Sequence, residues 1–472
     1  MTNNFLKATK NISNMLEDVL IKFPIKKIID NLLLDGAQVF LVGGAVRDMI
    51  LGHQLKDLDI EIHRLSVKQV EHILQRYGNV DLVGKSFGVF RICGLDVDWS
   101  LPRIDESGRK PTVHIDPSMD IEVALRRRDL TMNAMAIDFE KNELIDPFDG
   151  IQDMQDKILR TPDVNFFVED PLRFFRVMQF IGRFKMFPDK ELNNVCKSMD
   201  FSKVSCERIE QEFEKLLLKG EKPSLAIEWL NLIGRLKDVL PELADLIGIE
   251  QGKKTHPEGD AYEHVKQVLD VAAKFLYRSR KEKQVLMYTA LAHDLGKKPT
   301  FSKEGGKIKF IGHEIKGIPL AKKMLKRITK NKGLIEKVSV LIRHHLRPAD
   351  FVRNGAKDVA YKRLAYKLSI SGLNMKILAK LSRADVLGRA QNPEECKKLR
   401  APEVAEFLRR ANRALVLHKP EEPILKGRDL LDVMEPGPEL GRLLKKAYEL
   451  QIEKGIKDKE KLKKNVLILI HS

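Results

Sequence analysis

The stretch from Val39 to His63, VFLVGGAVRDMILGHQLKDLDIEIH, constrains the fold more than any other part of the chain. Its first four residues are apolar and suit a buried strand, which breaks at Gly43-Gly44. The next residues, AVRDMIL, suit a short helix. In the segment KDLDIEIH that follows, side chains alternate between two faces if it forms a strand. One face then carries Leu58, Ile60 and Ile62, and the other carries Asp57, Asp59, Glu61 and His63.

Asp57 and Asp59 give this stretch its predicted chemistry. Two carboxylates two residues apart on an exposed strand face can grip divalent cations together. The glycine pair lets phosphate oxygens approach bare backbone amides. The stretch therefore predicts a site for a nucleoside triphosphate and magnesium, although an Asp-x-Asp pair without other motifs is most often a solvated strand edge.

Length and composition set the broad class. A chain of 472 residues is too long for one typical core, so we expect two to four domains. The hydrophobic share of 43% is ordinary for a soluble protein, and no uncharged apolar run approaches the length that spans a bilayer. The first twenty residues contain acids and lack an apolar core with a cleavage site, so we expect neither a signal peptide nor a membrane anchor.

Cysteine spacing and charge indicate compartment and partners. The four cysteines are scattered without a Cys-x-x-Cys pair, which is typical of reduced thiols in a cytoplasmic protein. The net charge of +17 should attract polyanions. Excess lysine that only keeps the protein soluble is the competing explanation.

A hairpin is predicted where FGVFRIC and LDVDWSLP flank a turn at Gly94. Its second arm would place Asp98 as a third carboxylate beside Asp57 and Asp59, although a bystander role for Asp98 is nearly as well supported. The following run, RIDESGRKPTVHIDPSMD, is polar with one glycine and two prolines, so we expect a mobile loop there.

The segment RRRDLTMNAMAID offers phosphate and sugar contacts. Arg128 can fork onto a phosphate, whereas Asp129 and Asn133 could hold a ribose hydroxyl or each other. A purely structural Arg-Asp pair is the alternative.

A helix is predicted in EDPLRFFRVMQFIGRF, with Asp170 able to cap it and Pro171 at its first position. Asp170, Arg173 and Arg176 are spaced three apart and share a face. Cytosine and adenine both present an amino donor beside a ring-nitrogen acceptor, so an Asp that accepts and an Arg that donates would suit C and A rather than U and G. A solvated salt-bridge face is the alternative.

An ordered series of histidines and aspartates begins after the composition break at QGKKTHPEGDAY. Imidazole and carboxylate groups suit a divalent metal, and a metal-bound water could attack a phosphoester. A relic used only for packing is the other interpretation. The core ligands we expect are His264, His293, Asp294 and Asp385, with His313 and His344 in support.

In combination, these motifs closely resemble the class II nucleotidyltransferases, the family of CCA-adding tRNA nucleotidyltransferases and bacterial poly(A) polymerases. The segment RRDLTMNA is similar to the family's Arg-Arg-Asp-x-Thr-x-Asn-Ala box, and EDPLR to its Glu-Asp-x-x-Arg template box. The histidine series resembles the HD phosphohydrolase superfamily. The resemblance implies an α+β protein, with a small mixed-sheet nucleotidyltransferase head followed by an all-α neck, body and HD domain. The expected divisions are an N-terminal helical extension (1–37), the catalytic head (38–154), a helical neck and body (155–250), the HD domain (251–390) and a helical tail (391–472).

The resemblance also implies an activity: Mg²⁺-dependent, template-independent addition of CMP and AMP from CTP and ATP to the 3′ end of tRNA. A second divalent metal in the HD domain would support phosphohydrolase activity. The catalytic residues would be Asp57, Asp59 and Asp98, with Asp57 and Asp59 as Mg²⁺ ligands. The nucleotide-binding residues would be Gly43, Gly44, Arg47, Arg128, Asp129, Asn133, Asp170, Arg173 and Arg176. The alternatives are a poly(A) polymerase, an enzyme that adds only CC or only A, and an HD phosphohydrolase with an inert RNA-binding head.

Overall fold

The computed structural model describes residues 12–82, 88–105, 113–253, 255–390 and 400–468. It divides into two compact units, Met1–Val204 and Ser205–Ser472. None of the described helices combines the length and the apolar composition that crossing a bilayer requires.

The first unit is built on strands. They are β1 Gln38–Val42, β2 Leu58–His63, β3 Val80–Leu82, β4 Val89–Ile92, β5 Val97–Ser100, β6 Arg103–Asp105, β7 Val113–Ile115, β8 Ala136–Asp138, β9 Glu143–Ile145, β10 Ile158–Leu159 and β11 Phe187–Pro188. Seven of them form one mixed sheet in the order β3-β4-β5-β2-β1-β8-β9. Only β2 and β5 pair in parallel; the other neighbours in this sheet are antiparallel.

Helices cover this sheet and continue beyond it. They are α1 Ile12–Lys22, α2 Lys26–Leu34, α3 Gly44–Ile50, α4 Val67–Gln75, α5 Ile121–Arg126, α6 Gly150–Asp156, α7 Val164–Glu169, α8 Leu172–Phe184 and α9 Lys190–Ser198. Part of the core lies where Phe40 and Val42 of β1 pack against Leu125, Ala134 and Ala136. β1 is central in the sheet and almost wholly buried, which explains its continuous apolar sequence.

The second unit is almost entirely helical. Its helices are α10 Cys206–Lys219, α11 Ser224–Leu232, α12 Leu236–Val239, α13 Pro241–Ala244, α14 Ala261–Ala273, α15 Arg280–Ala292, α16 Lys297–Thr300, α17 His313–Ile328, α18 Lys332–His344, α19 Arg347–Arg353, α20 Asp358–Ser369, α21 Met375–Leu387, α22 Pro402–Arg413, α23 Pro438–Lys454 and α24 Lys459–Ile468. A short hairpin, β12 Ser302–Glu304 and β13 Lys307–Lys309, interrupts them.

This architecture confirms the predicted α+β class: a small mixed sheet in the first unit and a helical remainder. The hairpin around Gly94 forms as β4 and β5, and the glycine adopts the positive φ of 88° that its turn requires.

The run RIDESGRKPTVHIDPSMD was expected to be a mobile loop, but it contains two strands, β6 and β7. β6 and β7 pair there as an antiparallel two-stranded sheet, in which the backbone groups of the two segments bond to each other. Residues 106–112, which connect these strands, lie outside the described residues.

Candidate functional site

The predicted carboxylates meet at the parallel pair of strands. Asp59 on β2 and Asp98 on β5 are Cα partners, and Asp57 immediately precedes β2. Asp57 and Asp59 both reach solvent. The pKa of Asp59 is raised by desolvation, together with the charges of Asp98 and Asp57, against the opposing charges of Arg128 and Arg176. Three crowded carboxylates are an arrangement that a bound cation would relieve.

Asp98 has a cation partner of its own. Arg91, its Cα partner on β4, donates from Nη2 to Asp98 Oδ2 at 2.8 Å and from Nε to Oδ1. Within the described part of the first unit, no three potential metal ligands lie within 4.8 Å of one another. The structure therefore brings Asp98 next to Asp59 but directs its carboxylate to Arg91.

Gly43 and Arg128 lie against Asp59. A Cβ atom on Gly43 would lie 2.4 Å from Arg128 Nη1 and 3.8 Å from Asp59 Oδ2, and the φ of Gly43 is +69°. Only glycine allows the backbone this close to the guanidinium in this conformation. Gly44, the first residue of α3, follows directly.

Strand alternation predicts that Glu61 and His63 lie on a solvated face. In the structure both side chains are buried. His63 Nε2 lies 3.1 Å from Glu61 Oε1, and Arg128 donates to Glu61 Oε2 at 3.2 Å. Burial disfavours the charged form of Glu61, but its hydrogen bonds with His63 and Arg128 outweigh that effect and lower its pKa. This buried pair orients Arg128, a role that alternation alone could not reveal.

A chain of polar side chains runs from α3 to α8. Arg47 Nη1 donates to Asn133 Oδ1 at 2.6 Å, and Asn133 Nδ2 donates to Asp129 Oδ1 at 3.0 Å. Arg176 Nε donates to Asp129 Oδ2 at 2.6 Å. Of the two predicted roles, Asp129 and Asn133 therefore hold each other here.

Arg47 differs from its predicted role as a triphosphate contact. It is buried, pairs with Asp48 at 2.7 Å, and its guanidinium lies 5.0 Å from the ring centre of Phe184. Arg47 therefore links α3 to Phe184 of α8, and its role as a triphosphate contact stays a prediction.

Substitution of Asp129 by Asn is expected to destabilise the first unit. Burial opposes ionisation of Asp129, but Arg176 and Asn133 lower its pKa to about 2. A depressed carboxyl pKa stabilises the fold above the unfolded value near 3.8, and this contribution is lost as the pH falls through about 2. Denaturant unfolding should show a loss of about 2 kcal/mol at pH 7 that shrinks between about pH 4 and pH 2. A loss independent of pH across that window would contradict this account.

The two residues predicted to read the base lie at the start of α8. Asp170 Oδ1 accepts from the N–H of Leu172, the first residue of α8, at 3.1 Å, and Pro171 occupies the N-cap position instead of the predicted first helical position. Arg173 Nη2 donates to the Arg127 carbonyl at 2.8 Å, and Nη1 donates to the Phe166 carbonyl. The positive charge of Arg176, one turn further on, favours the ionised forms of both Asp59 and Asp129 and so acts to lower the pKa of each. The α8 helix is therefore next to the carboxylate site.

The second unit holds a buried cluster of histidines and aspartates. His264 Nε2 lies 2.9 Å from Asp385 Oδ1 and 3.5 Å from Asp294 Oδ2. His293 Nε2 lies 3.2 Å from Asp294 Oδ2. Two overlapping groups of potential ligands share Asp294: one with His264 and His293, the other with His313 and His345.

His345, and not the predicted His344, belongs to this cluster. His345 Nε2 lies 3.2 Å from His313 Nε2 and 3.9 Å from Asp294 Oδ1. Successive residues at a helix end point about 100° apart, so only one of the two histidines can face the cluster. His344 instead neighbours Lys367, Arg347 and Arg343; burial and these cations lower its pKa to about 4.

Protein cations balance the cluster's acids. Lys297 Nζ lies 2.6 Å from Asp294 Oδ2, and Arg389 donates to Asp385 Oδ2 at 2.7 Å. Burial opposes ionisation of Asp294, but His293 and Lys297 hold its pKa well below its usual range. His293 Nε2 lies 3.2 Å from Asp294 Oδ2 but makes no hydrogen bond to any described residue, a position that suits a metal bond. The donor set of nitrogen and carboxylate atoms fits a divalent metal.

Glu258 was not among the site residues predicted from the sequence, but it contacts His264 of this cluster. Its side chain is fully buried, and its Oε1 lies 2.7 Å from His264 Nδ1 and 2.9 Å from His256 Nδ1. Such a carboxylate fixes the tautomer that leaves His264 Nε2 free to bind metal.

Substitution of Glu258 by Gln is expected to weaken metal binding about 10- to 100-fold, because His264 loses its charged orienting partner. Calorimetric titration of the full chain with Mn²⁺ measures this. The matched control is Glu250→Gln, which removes an exposed carboxylate that pairs with Lys303. Equal Mn²⁺ affinity in both variants and the native chain would argue against the orienting role.

Comparison with known proteins identifies both regions. A family model described as the poly(A) polymerase head domain matches residues 39–160, and an HD domain model matches residues 261–368. The multifunctional CCA protein of Methylobacillus flagellatus is 35% identical over 317 residues, which cover 65% of this chain and 74% of that protein. The chain belongs to the multifunctional CCA protein family. It is therefore a nucleotidyltransferase with an HD domain, and the resemblance found in the motifs is confirmed.

Other members of the CCA protein family and several solved structures agree. The multifunctional CCA protein of Stenotrophomonas maltophilia strain R551-3 is 34% identical over 66% of this chain and 76% of its own length. The fold is similar to that of the Bacillus stearothermophilus CCA-adding enzyme in complex with CTP, with a TM-score of 0.61, 20% identity, and coverage of 93% and 96% of the two chains. The Thermotoga maritima CCA-adding enzyme complexed with tRNA gives a TM-score of 0.53 at 18% identity over 96% and 98%.

Proposed function

We propose that this chain adds C, C and A to the 3′ end of tRNA from CTP and ATP and releases pyrophosphate. The observation that carries the proposal is the pair Asp57 and Asp59, which opens to solvent beside Gly43, Arg128 and the α8 helix. The reaction belongs in the cytoplasm, in keeping with the free Cys93, Cys196 and Cys206.

Mg²⁺ fits the Asp57 and Asp59 site because the donors are hard carboxylate oxygens, and because burial and the charges of Asp98 and Asp57 raise the pKa of Asp59, a cost that a bound cation would relieve. When bound, Mg²⁺ would lower the pKa of the RNA 3′ hydroxyl and neutralise the leaving pyrophosphate. Asp98 would become a third ligand if Arg91 releases its carboxylate.

Arg128 is the residue we assign to the triphosphate. Its side chain is a quarter exposed and lies over the Gly43 backbone, where phosphate oxygens can approach. Gly43 and Gly44 leave room for those oxygens. Asp129 and Asn133 hold Arg47 and Arg176 in place, and they offer oxygen and nitrogen atoms for a ribose hydroxyl when their mutual bond opens.

Asp170 and Arg173 would select the base. A guanidinium carries five N–H donors, so the two carbonyls that Arg173 binds leave donors for a ring nitrogen. Asp170 would accept from the exocyclic amino group that C and A share. A base with the opposite donor pattern would leave buried polar groups unsatisfied, which disfavours U and G.

The decisive experiment supplies tRNA that ends at the discriminator base with each triphosphate singly and then with CTP and ATP together. We expect two C additions with CTP, and a complete CCA end with both. Long A tails without C incorporation would show a poly(A) polymerase, and arrest after CC or a requirement for a preformed CC end would show a partial enzyme.

We also propose that the second unit is a metal-dependent phosphohydrolase, because its buried Asp294 cluster offers two overlapping sets of metal ligands. A bound metal would supply an activated water for attack on a phosphoester. The chain's own residues fix the geometry: Glu258 orients His264, and Lys297 and Arg389 balance the acids.

A further inference from the structure

A cavity of 430 Å³ in the second unit lies at the start of α15 and α21, beside α18. Six of its twelve lining residues are charged, beside apolar groups such as Val285, Leu373 and Ile377; the charged ones are Arg278, Lys281, Lys337, Lys376, Lys380 and Glu282. Five cations against one carboxylate give the cavity a strongly positive field, which low-dielectric walls focus on anything bound inside.

The single carboxylate in the lining, Glu282, already accepts hydrogen bonds from protein groups. Glu282 Oε1 accepts from Lys380 Nζ at 2.5 Å, and its Oε2 accepts from Arg278 N at 2.9 Å. Across the described parts of the chain, the side chains of Lys281, Lys337 and Lys376 have no hydrogen-bond or ion-pair partner. Lys337 and Lys376 are also half-buried.

A second cavity with a basic lining differs in the pairing of its cations. That cavity, of 550 Å³, is lined by Arg409, Arg410 and Arg413 among others. There, Arg409 and Arg410 both donate to Glu406, and Arg413 lies 3.4 Å from Asp358. These three arginines are neutralised within the protein, whereas Lys281, Lys337 and Lys376 of the first cavity are available for a ligand.

We propose that the cavity at the start of α15 and α21 binds the phosphate group of a phosphate ester. Lysine ammonium groups act as point charges for phosphate oxygens, and the volume suits a phosphate with an attached sugar. The helix ends contribute little, because Ser279 and Asn374 already cap their N–H groups. The binding therefore depends on the lysines.

The cavity is separate from the metal cluster. Both α15 and α21 run from the cavity towards the cluster, where His293 follows α15 and Asp385 lies in the last turn of α21. The helical rise places the two sites roughly 15 to 20 Å apart. The same phosphate chemistry could come from a free phosphate compound or from the backbone of bound RNA. The inference does not depend on the proposed function, because it requires neither nucleotide addition nor hydrolysis.

Site-specific protection of lysines tests this on the full native chain. An uncharged amine-acylating reagent labels the protein, and peptide mass spectrometry follows each lysine. With inorganic phosphate at about ten times its dissociation constant, labelling of Lys337 and Lys376 should slow about tenfold. Lys445 and Lys446, two exposed lysines on α23, are the internal control and should be unaffected by phosphate.

A parallel arm replaces phosphate with tRNA. Selective protection of Lys337 and Lys376 by both ligands would identify the RNA backbone as a source, and protection by phosphate alone would identify a free phosphate compound. The Lys337→Ala/Lys376→Ala variant should then lose phosphate binding. If the RNA backbone is the source, the tRNA affinity of the variant should also depend less steeply on salt. The slope of log affinity against log salt concentration should fall by about one to two. Protection by neither ligand, or equal protection of the control lysines, overturns the proposal.

Discussion

Asp59→Asn should abolish nucleotide addition to tRNA and leave hydrolysis by the second unit unchanged. The amide cannot replace the charge of a carboxylate towards a divalent cation, so the rate should fall at least about 10³-fold, or roughly 4 kcal/mol of activation free energy. Asp57→Asn should have the same effect. Single-turnover incorporation of labelled CMP into tRNA that lacks its CCA end measures the loss.

The Asp59→Asn variant should remain folded, so a loss of nucleotide addition would report a lost catalytic group and not unfolding. The pKa of Asp59 is raised, so the charged form is disfavoured where it stands, and a neutral amide relieves repulsion from Asp57 and Asp98. We therefore expect the Tm of the first unit not to fall. Asp156→Asn is the matched control, because Asp156 is exposed on α6, where its carboxylate accepts from the neighbouring Gln152 at 2.9 Å. Incorporation that survives in Asp59→Asn would rule out the proposed mechanism.

Asp98→Asn distinguishes a third ligand from a bystander. Because Arg91 holds both oxygens of Asp98 in the structure, we expect a loss below about tenfold, as for an exposed ion pair. A loss as large as that of Asp59→Asn would show that Arg91 releases Asp98 during the reaction.

The sequence predicted the sheet position of the carboxylates well because strand alternation and the Gly43-Gly44 break are local signals. Alternation failed for Glu61 and His63, which are polar by type but buried, because Glu61 pairs with Arg128, 67 residues further on, and His63 with the distant Met119 carbonyl. Burial of a polar residue depends on such distant partners, which a periodic pattern does not contain.

The histidine series shows the same limit. The order of residues predicted a metal cluster, but the choice between His344 and His345 depends on where α18 ends and how it is rotated. A shift of one residue at a helix end rotates the side chain by about 100°, and sequence patterns leave helix ends uncertain by more than that. Glu258 could not be foreseen either, because a single acid in a polar segment carries no ligand spacing.

Asp294→Asn should abolish metal binding and hydrolysis in the second unit while nucleotide addition continues. Asp294 is shared by both groups of potential ligands, so its charge supports every metal position in the cluster. Loss of that carboxylate should lower hydrolysis of a model phosphodiester at least about 10³-fold. Metal content after dialysis, measured by mass spectrometry, should fall in parallel.

The adjacent histidines supply a matched pair that tests the geometry itself. His345→Ala removes a ligand that faces Asp294 and should lower metal content and hydrolysis, whereas His344→Ala should leave both near native levels. The two variants remove the same side chain from neighbouring positions at the end of α18; because His345 is buried and His344 only half-buried, the Tm of both variants is measured alongside to separate metal loss from lost stability. If His344→Ala lost the metal and His345→Ala kept it, α18 would have to be rotated by about one residue relative to its position here. If neither lost it, His345 would not be a required ligand, and the group of His264, His293 and Asp294 would hold the metal.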